Sequence, residues 1–224
     1  MIVLSGKKRS GKDTVAGFMR DEGMKTYALA DPIKDALFHA FKRSMYEGTV
    51  TRAMLNGIDY DREQPMNMTV NEVRDVLIEA VFYTFKDAGL SDAMYVDCIE
   101  HITDFILNIE HVENFSIRKF MQTFGTDIMC NIVSNHHWLD LAEKKAPANA
   151  IITDVRQPWE EEYYRNKDAT FIFVKGAYPG YIEPTDNHIT EQGLTPRDGD
   201  IILVNENILT LAKETKCLLK KLMN

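Results

Sequence analysis

The sequence predicts an α/β fold built on a parallel sheet, and three features carry that prediction. Residues 1–4 are a short apolar run closed by Ser5-Gly6, which suits a buried parallel strand. Gly6 to Lys12 then has the spacing G-x-x-x-x-G-K, and apolar Ala16, Phe18 and Met19 extend it into a helix starting near Gly11. Further on, apolar strand signals at residues 24–30, 150–153, 169–174 and 201–204 are separated by helical patterns, as in a sheet built by crossovers.

The glycine-rich segment accounts for its own residue types. Its glycines let the backbone curl so that successive N–H groups face one anionic centre, and the following helix adds its positive N-terminal end. Lys12 reaches terminal phosphates as a point charge. The Ser or Thr that commonly follows this lysine and touches magnesium is replaced by Asp13, with Thr14 one place later. That order weakens a GTPase or motor-ATPase reading. It resembles the Gly-Lys-Gly-Thr ending of nucleoside monophosphate kinases, whose hydroxyl also lies two residues after the lysine. The expected architecture is the P-loop NTPase three-layer sandwich, with a parallel sheet and a helical acceptor-binding insertion.

Composition narrows the function classes. At 224 residues with 45% hydrophobic content, the chain suffices for one large α/β domain or a core with one insertion. A net charge of −8 argues against a nucleic-acid polymer as partner. The basic residues Lys7, Lys8, Arg9 and Lys12 gather in the loop, which fits a small polyanion. Three widely spaced cysteines form neither a disulfide framework nor a zinc pattern, and suit a reducing cytoplasm. No leader pattern and no apolar stretch of spanning length is visible, so no membrane partner is expected.

After the second strand, Asp31-Pro32 reads as a helix start, with Asp31 as cap and Pro32 at the first helical position. Lys34 lies one turn in, near a strand's carboxyl end, where parallel sheets bind ligands. Residues 46–69 are polar and irregular, and helical periodicity returns over 69–85 and 92–109. Residues 48–114 thus read as a helical insertion in a core formed by 1–47 and 115–224. From Ser116 another helix places Arg118, Gln122 and Thr126 at intervals of four, on one face. A guanidinium and an amide so placed suit a phosphate and a base edge. Trp138 follows, as a core residue or a stacking partner for a base.

The strand at 150–153 ends in Asp154-Val155-Arg156-Gln157. A carboxylate there is placed to hold magnesium, and Arg156 to stabilise a transferring phosphoryl group. The alternative for Asp154 is a cap on the Pro158 helix. Residues 178–199 form a turn-rich excursion containing Asp186, His188, Glu191 and Arg197, before the last strand and a closing amphipathic helix.

Several blocks then resemble one family along the whole chain: the loop from Ser5 to Thr14, Pro32-Ile33-Lys34-Asp35-Ala36-Leu37, and Gly57-Ile58-Asp59-Tyr60-Asp61-Arg62-Glu63. Arg118 with Gln122-Thr123-Phe124-Gly125-Thr126-Asp127, Asp154-Val155-Arg156-Gln157, His188-Ile189-Thr190-Glu191 and Arg197-Asp198-Gly199-Asp200 continue the series. They resemble the deoxynucleoside monophosphate kinases of T-even-type bacteriophages. The resemblance implies transfer of the ATP γ-phosphoryl group, with magnesium, to a deoxynucleoside 5′-monophosphate. It implies that Lys8, Arg9, Gly11, Lys12, Asp13 and Thr14 hold ATP, and that Lys12, Asp154 and Arg156 act at the transferred group. The metal candidates are Asp13 and Asp154. Lys34, Arg62, Arg118, Gln122, Gly125, Thr126, Trp138 and Gln157 would surround the acceptor. A homodimer in the host cytoplasm would accompany this reading. Asp31 departs from the glycine expected before Pro32.

Two other readings share part of the pattern. A phosphomevalonate-type kinase has the same loop and a strand ending Asp-Val-Arg, but no evident use for Gln122 and Trp138. A non-catalytic nucleotide-binding module would keep the loop without needing the arginines.

Overall fold

In the computed structural model, residues 1–89, 92–182 and 188–222 are described. The chain opens with β1 (Ile2–Ser5), α1 (Lys12–Asp21) and β2 (Thr26–Ala28). Helices α2 (Asp31–Lys42), α3 (Arg52–Asn56), α4 (Val70–Ala88), α5 (Asp92–Leu107) and α6 (Ile117–Gln122) follow. A π-helix (Thr123–Val133) continues from α6, and α7 (His137–Lys145) comes next. The chain ends with β3 (Ile151–Thr153), α8 (Pro158–Arg165), β4 (Thr170–Gly176), α9 (Ile189–Gln192), β5 (Ile201–Asn205) and α10 (Ile208–Leu222). No helix among the described residues is long and apolar enough to cross a membrane.

Two compact units result: Met1–Leu29 with Ala142–Asn224, and Ala30–Leu141. The first contains the sheet, in the order β2-β3-β1-β4-β5. Every pairing is parallel, with Val3 opposite both Ile152 and Phe171, and Phe173 opposite Ile202. From β1 the chain moves one way to β2; from β3 it moves the other way, past β1, to β4. Right-handed crossovers running in opposite directions put α1 and α8 on opposite faces. The order therefore reverses beside β1, whose carboxyl end carries the glycine-rich loop. Ligands bind at such a reversal point. Leu4, Val15, Ala16, Met19, Ile151, Ile172, Val174, Leu203, Leu211 and Leu219 bury the face shared with α1 and α10.

The second unit is helical. Thr69 and Glu72 close a reciprocal capping box at the start of α4, which satisfies two backbone donors before the apolar stripe begins. Ala36, Leu37, Ala40 and Phe41 of α2 are buried, as are Val73, Val76, Leu77, Ala80 and Val81 of α4. Phe120 joins them with its ring edge-on to Phe41 and Phe115.

Three local readings change. Ala30, not Asp31, precedes α2, and no side chain caps that helix; the Asp31 carboxylate instead takes the Lys34 ammonium at 3.0 Å. Within the stretch read as irregular, Thr51 caps the short α3 by accepting from the Met54 N–H. The helix from Ser116 is α-helical only to Gln122. Wider i→i+5 turns follow, so the face shared by Arg118 and Gln122 does not continue as an α-helical face to Thr126. Of the excursion over 178–199, Asp186 lies outside the described residues.

The end of that excursion is held by a guanidinium clasp. Arg165 donates to both Asp200 oxygens, at 2.9 and 2.7 Å, and through Nε to Glu161 at 2.8 Å. The Asp200 carboxylate also accepts from the Arg197 N–H, and Arg165 lies 4.1 Å over the Phe171 ring. Because the Asp200 side chain is only 5% exposed, removing it takes two charge-assisted hydrogen bonds from Arg165 and leaves the guanidinium to Glu161 alone of this carboxylate pair. Asp200→Ala is expected to lower the free energy of unfolding in urea by about 3 kcal/mol. Arg197→Ala, at an exposed side chain, is expected to cost less than about 1 kcal/mol.

Candidate active site

The glycine-rich segment joins β1 to the first turn of α1. Gly11 precedes α1 with φ 99°, a left-handed conformation that a Cβ disfavours, and Arg9 is also left-handed at φ 61°. Lys12 is buried, and its ammonium lies 2.5 Å from Asp154 Oδ1 and 2.8 Å from Asp13 Oδ1. Burial alone would lower the Lys12 pKa. The attraction of Asp154 and then Asp13 outweighs it and holds the ammonium above its ordinary range.

Asp154 sits one residue beyond β3 with φ 67°, a left-handed position that Asp tolerates better than most residues. Its Oδ1 is also 3.4 Å from Arg156 Nη2. The cap on α8 comes from elsewhere: Glu160 Oε2 accepts from the N–H of Arg156 at 2.8 Å and of Gln157 at 3.0 Å. Asp154 is therefore left for the loop lysine. Asp13, Asp154 and Thr14 offer hard oxygen ligands suited to magnesium shared with phosphates. No group of three or more His, Cys, Asp or Glu side chains placed to hold a metal ion occurs among the described residues.

In the helical unit, the stretch from Gly57 to Glu63 is tied to the start of α6. Arg118 N donates to Arg62 O at 2.8 Å, Met66 N donates to Phe115 O at 2.8 Å, and Pro65 bridges Ser116 in antiparallel fashion. This pairing brings together Arg62 and Arg118. The Arg62 guanidinium is fixed by Leu55 O at 3.3 Å, and Arg118 Nε lies 3.7 Å from Glu63. Gln122 lies one turn beyond Arg118, and its buried Nε2 has no hydrogen-bond partner among the described residues. A buried amide donor of this kind is costly unless something accepts from it.

Gly125 packs closely against Ile33. A Cβ there would stand 2.6 Å from Ile33 Cδ1, in the turn that carries Lys34. The Gly125 carbonyl accepts from Trp138 Nε1 at 2.8 Å and from Cys130 Sγ at 3.2 Å. Trp138 is buried, edge-on to Phe124 and His137, with its indole N–H committed to that carbonyl. Thr126 is buried as well, whereas Gln157 belongs to the sheet unit.

The family model for deoxynucleotide monophosphate kinase matches residues 1–215, from the first strand into the last helix. The chain belongs to the deoxynucleotide monophosphate kinase family. It is 38% identical over 231 residues to the deoxynucleotide monophosphate kinase of Enterobacteria phage T4, a match covering 93% of each chain. It is 33% identical over 238 residues to that of Escherichia phage RB69, covering 93% of this chain and 94% of the relative. These matches support neither the phosphomevalonate-type reading nor the non-catalytic module.

Glu160 escaped the sequence reading, although the spacing Gln157-x-x-Glu160 before a helix is a capping signal. Burial raises its pKa to about 7, against the two backbone N–H groups that favour the carboxylate. The folded chain keeps this proton up to about pH 7, whereas an unfolded chain releases it near 4.5, the ordinary value for a glutamate. The stability this contributes is complete below pH 4.5 and is lost as pH rises towards 7. Relative to wild type, Glu160→Gln should remove a decline of about 3 kcal/mol across that interval, read from urea midpoints at each pH. Parallel curves for the two proteins would mean that Glu160 titrates alike in both states.

Proposed function

We propose that the chain transfers the γ-phosphoryl group of ATP to the 5′-phosphate of a deoxynucleoside monophosphate, yielding ADP and the deoxynucleoside diphosphate. The observation that carries this reading is the phosphate loop of a family member with its lysine, Lys12, buried against the strand-end carboxylate Asp154. An acceptor phosphate oxygen is already anionic. It attacks phosphorus as the bond to the β-phosphate oxygen breaks, and no general base is needed. What the protein must supply is position and positive charge.

In this reading the loop N–H groups at Gly11 to Thr14, with Lys8, Arg9 and Lys12, hold the donor phosphates. Asp13, Thr14 and Asp154 would hold magnesium, which when bound neutralises charge on the donor phosphates. Lys12 moves charge onto the transferring group, and Arg156 meets the charge on its equatorial oxygens. Lys34, Arg62 and Arg118 pair with the acceptor phosphate, since guanidinium forks suit phosphate geometry. Gln122 offers its buried N–H to an acceptor atom on the base edge. Gly125, Thr126 and Gln157 shape the remaining contacts, with Trp138 acting on the site through the Gly125 carbonyl.

The deciding experiment measures ADP formation from ATP and magnesium with each deoxynucleoside monophosphate and the matching ribonucleotides. Turnover with at least one deoxynucleotide is expected, and turnover with none of them contradicts the proposal. In the same assay Lys12→Ala should reduce turnover by about two to three orders of magnitude in a folded protein. Gln122→Ala should raise the acceptor KM by roughly tenfold and leave the KM for ATP unchanged. Equal changes in both constants would move Gln122 out of the acceptor site.

A further inference from the structure

A loop that turns its N–H groups toward an anion turns its carbonyl groups the other way, and each carbonyl then needs a donor of its own. One is served locally: Lys7 O accepts from Ser10 N at 3.1 Å. Two others, those of Arg9 and Ser10, are served from a distant part of the sheet unit. The Tyr178 hydroxyl donates to Arg9 O at 2.9 Å, and the Asn205 side-chain amide donates to Ser10 O at 3.0 Å.

These two donors belong to one brace. Asn205 ends β5 opposite Gly176, the last residue of β4, and Asn205 O accepts from the N–H of Ala177 at 2.9 Å. Tyr178 is the next residue, and its ring packs edge-on to Tyr181, 5.5 Å away. The fit against the loop is close, because a Cβ on Gly11 would overlap the Asn205 amide. The loop also carries Arg9 in a left-handed conformation, costing about 1 kcal/mol or more, and such residues persist only where their surroundings hold them. The bond from Tyr178 to the Arg9 carbonyl is such a hold.

We propose that Asn205 and Tyr178 are positioning residues for the phosphate loop, holding the Ser10 and Arg9 carbonyls so that the loop N–H groups stay directed at the donor phosphates. The proposal rests on the reading of this loop as the donor site. Neither residue touches the reacting atoms in it. Both act through the loop backbone, and their effect falls on polyphosphate affinity rather than on the acceptor.

The test uses the full chain with Tyr178→Phe, which removes one hydroxyl, and Asn205→Ala, with Lys12→Ala as reference. KM is measured for ATP and for the acceptor, together with calorimetric binding of ADP and inhibition by inorganic tripolyphosphate, which probes the loop without a base or sugar. Each variant is expected to weaken ATP, ADP and tripolyphosphate by about three- to tenfold, the loss of one hydrogen bond, with acceptor KM within about twofold of wild type. Unchanged polyphosphate affinity in both variants overturns the proposal. So does a parallel loss of donor and acceptor affinity with a lowered melting temperature, which would make the brace merely structural. If Lys12→Ala leaves ADP and tripolyphosphate binding intact, the donor-site reading itself has failed, and the proposal with it.

Discussion

The sheet unit depends on one requirement, that a buried ammonium have its countercharge beside it. Lys12 is almost wholly withdrawn from solvent, and an isolated charge there would be too costly to keep. Asp154 meets it from the end of β3, the strand next to β1, so the pair joins the loop after one strand to the turn after another. The turn can present Asp154 because the α8 cap is made by Glu160, leaving the strand-end carboxylate for Lys12 and Arg156. A buried pair of this kind adds little to stability. Its value is geometric, since it holds a lysine, a carboxylate and an arginine together beside the N-terminus of α1.

The helical unit solves a different problem, which is to hold Arg62 and Arg118 near each other without mutual repulsion undoing the fold. Arg62 and Arg118 are joined through the backbone, and their side chains are steadied by a carbonyl and by Glu63. Lys34 is steadied by Asp31. Each cation keeps a modest partner. A phosphate would be a stronger one, because bonds between two charged groups are about twice as strong as neutral ones. The Gln122 amide, one turn beyond Arg118, is a buried donor without an acceptor among the described residues.

Much of this was legible from the chain itself: the strand–loop–helix at the start, the later strands, the Pro158 helix, the helical stretch at 69–85 and the closing helix. These follow from period, capping residues and glycine spacing, which act between residues a few positions apart. The strand order, the Arg62–Arg118 pairing and the hold of Asn205 and Tyr178 on the loop depend on segments far apart in sequence. So does the change from α- to π-helix after Gln122, where Gly125 meets Ile33 and Trp138. Local preference cannot fix such contacts. They are chosen when the whole chain packs and each buried donor finds its acceptor. The sequence alone therefore determined which chemistry the chain carries, and the tertiary structure decided which side chains hold that chemistry in place.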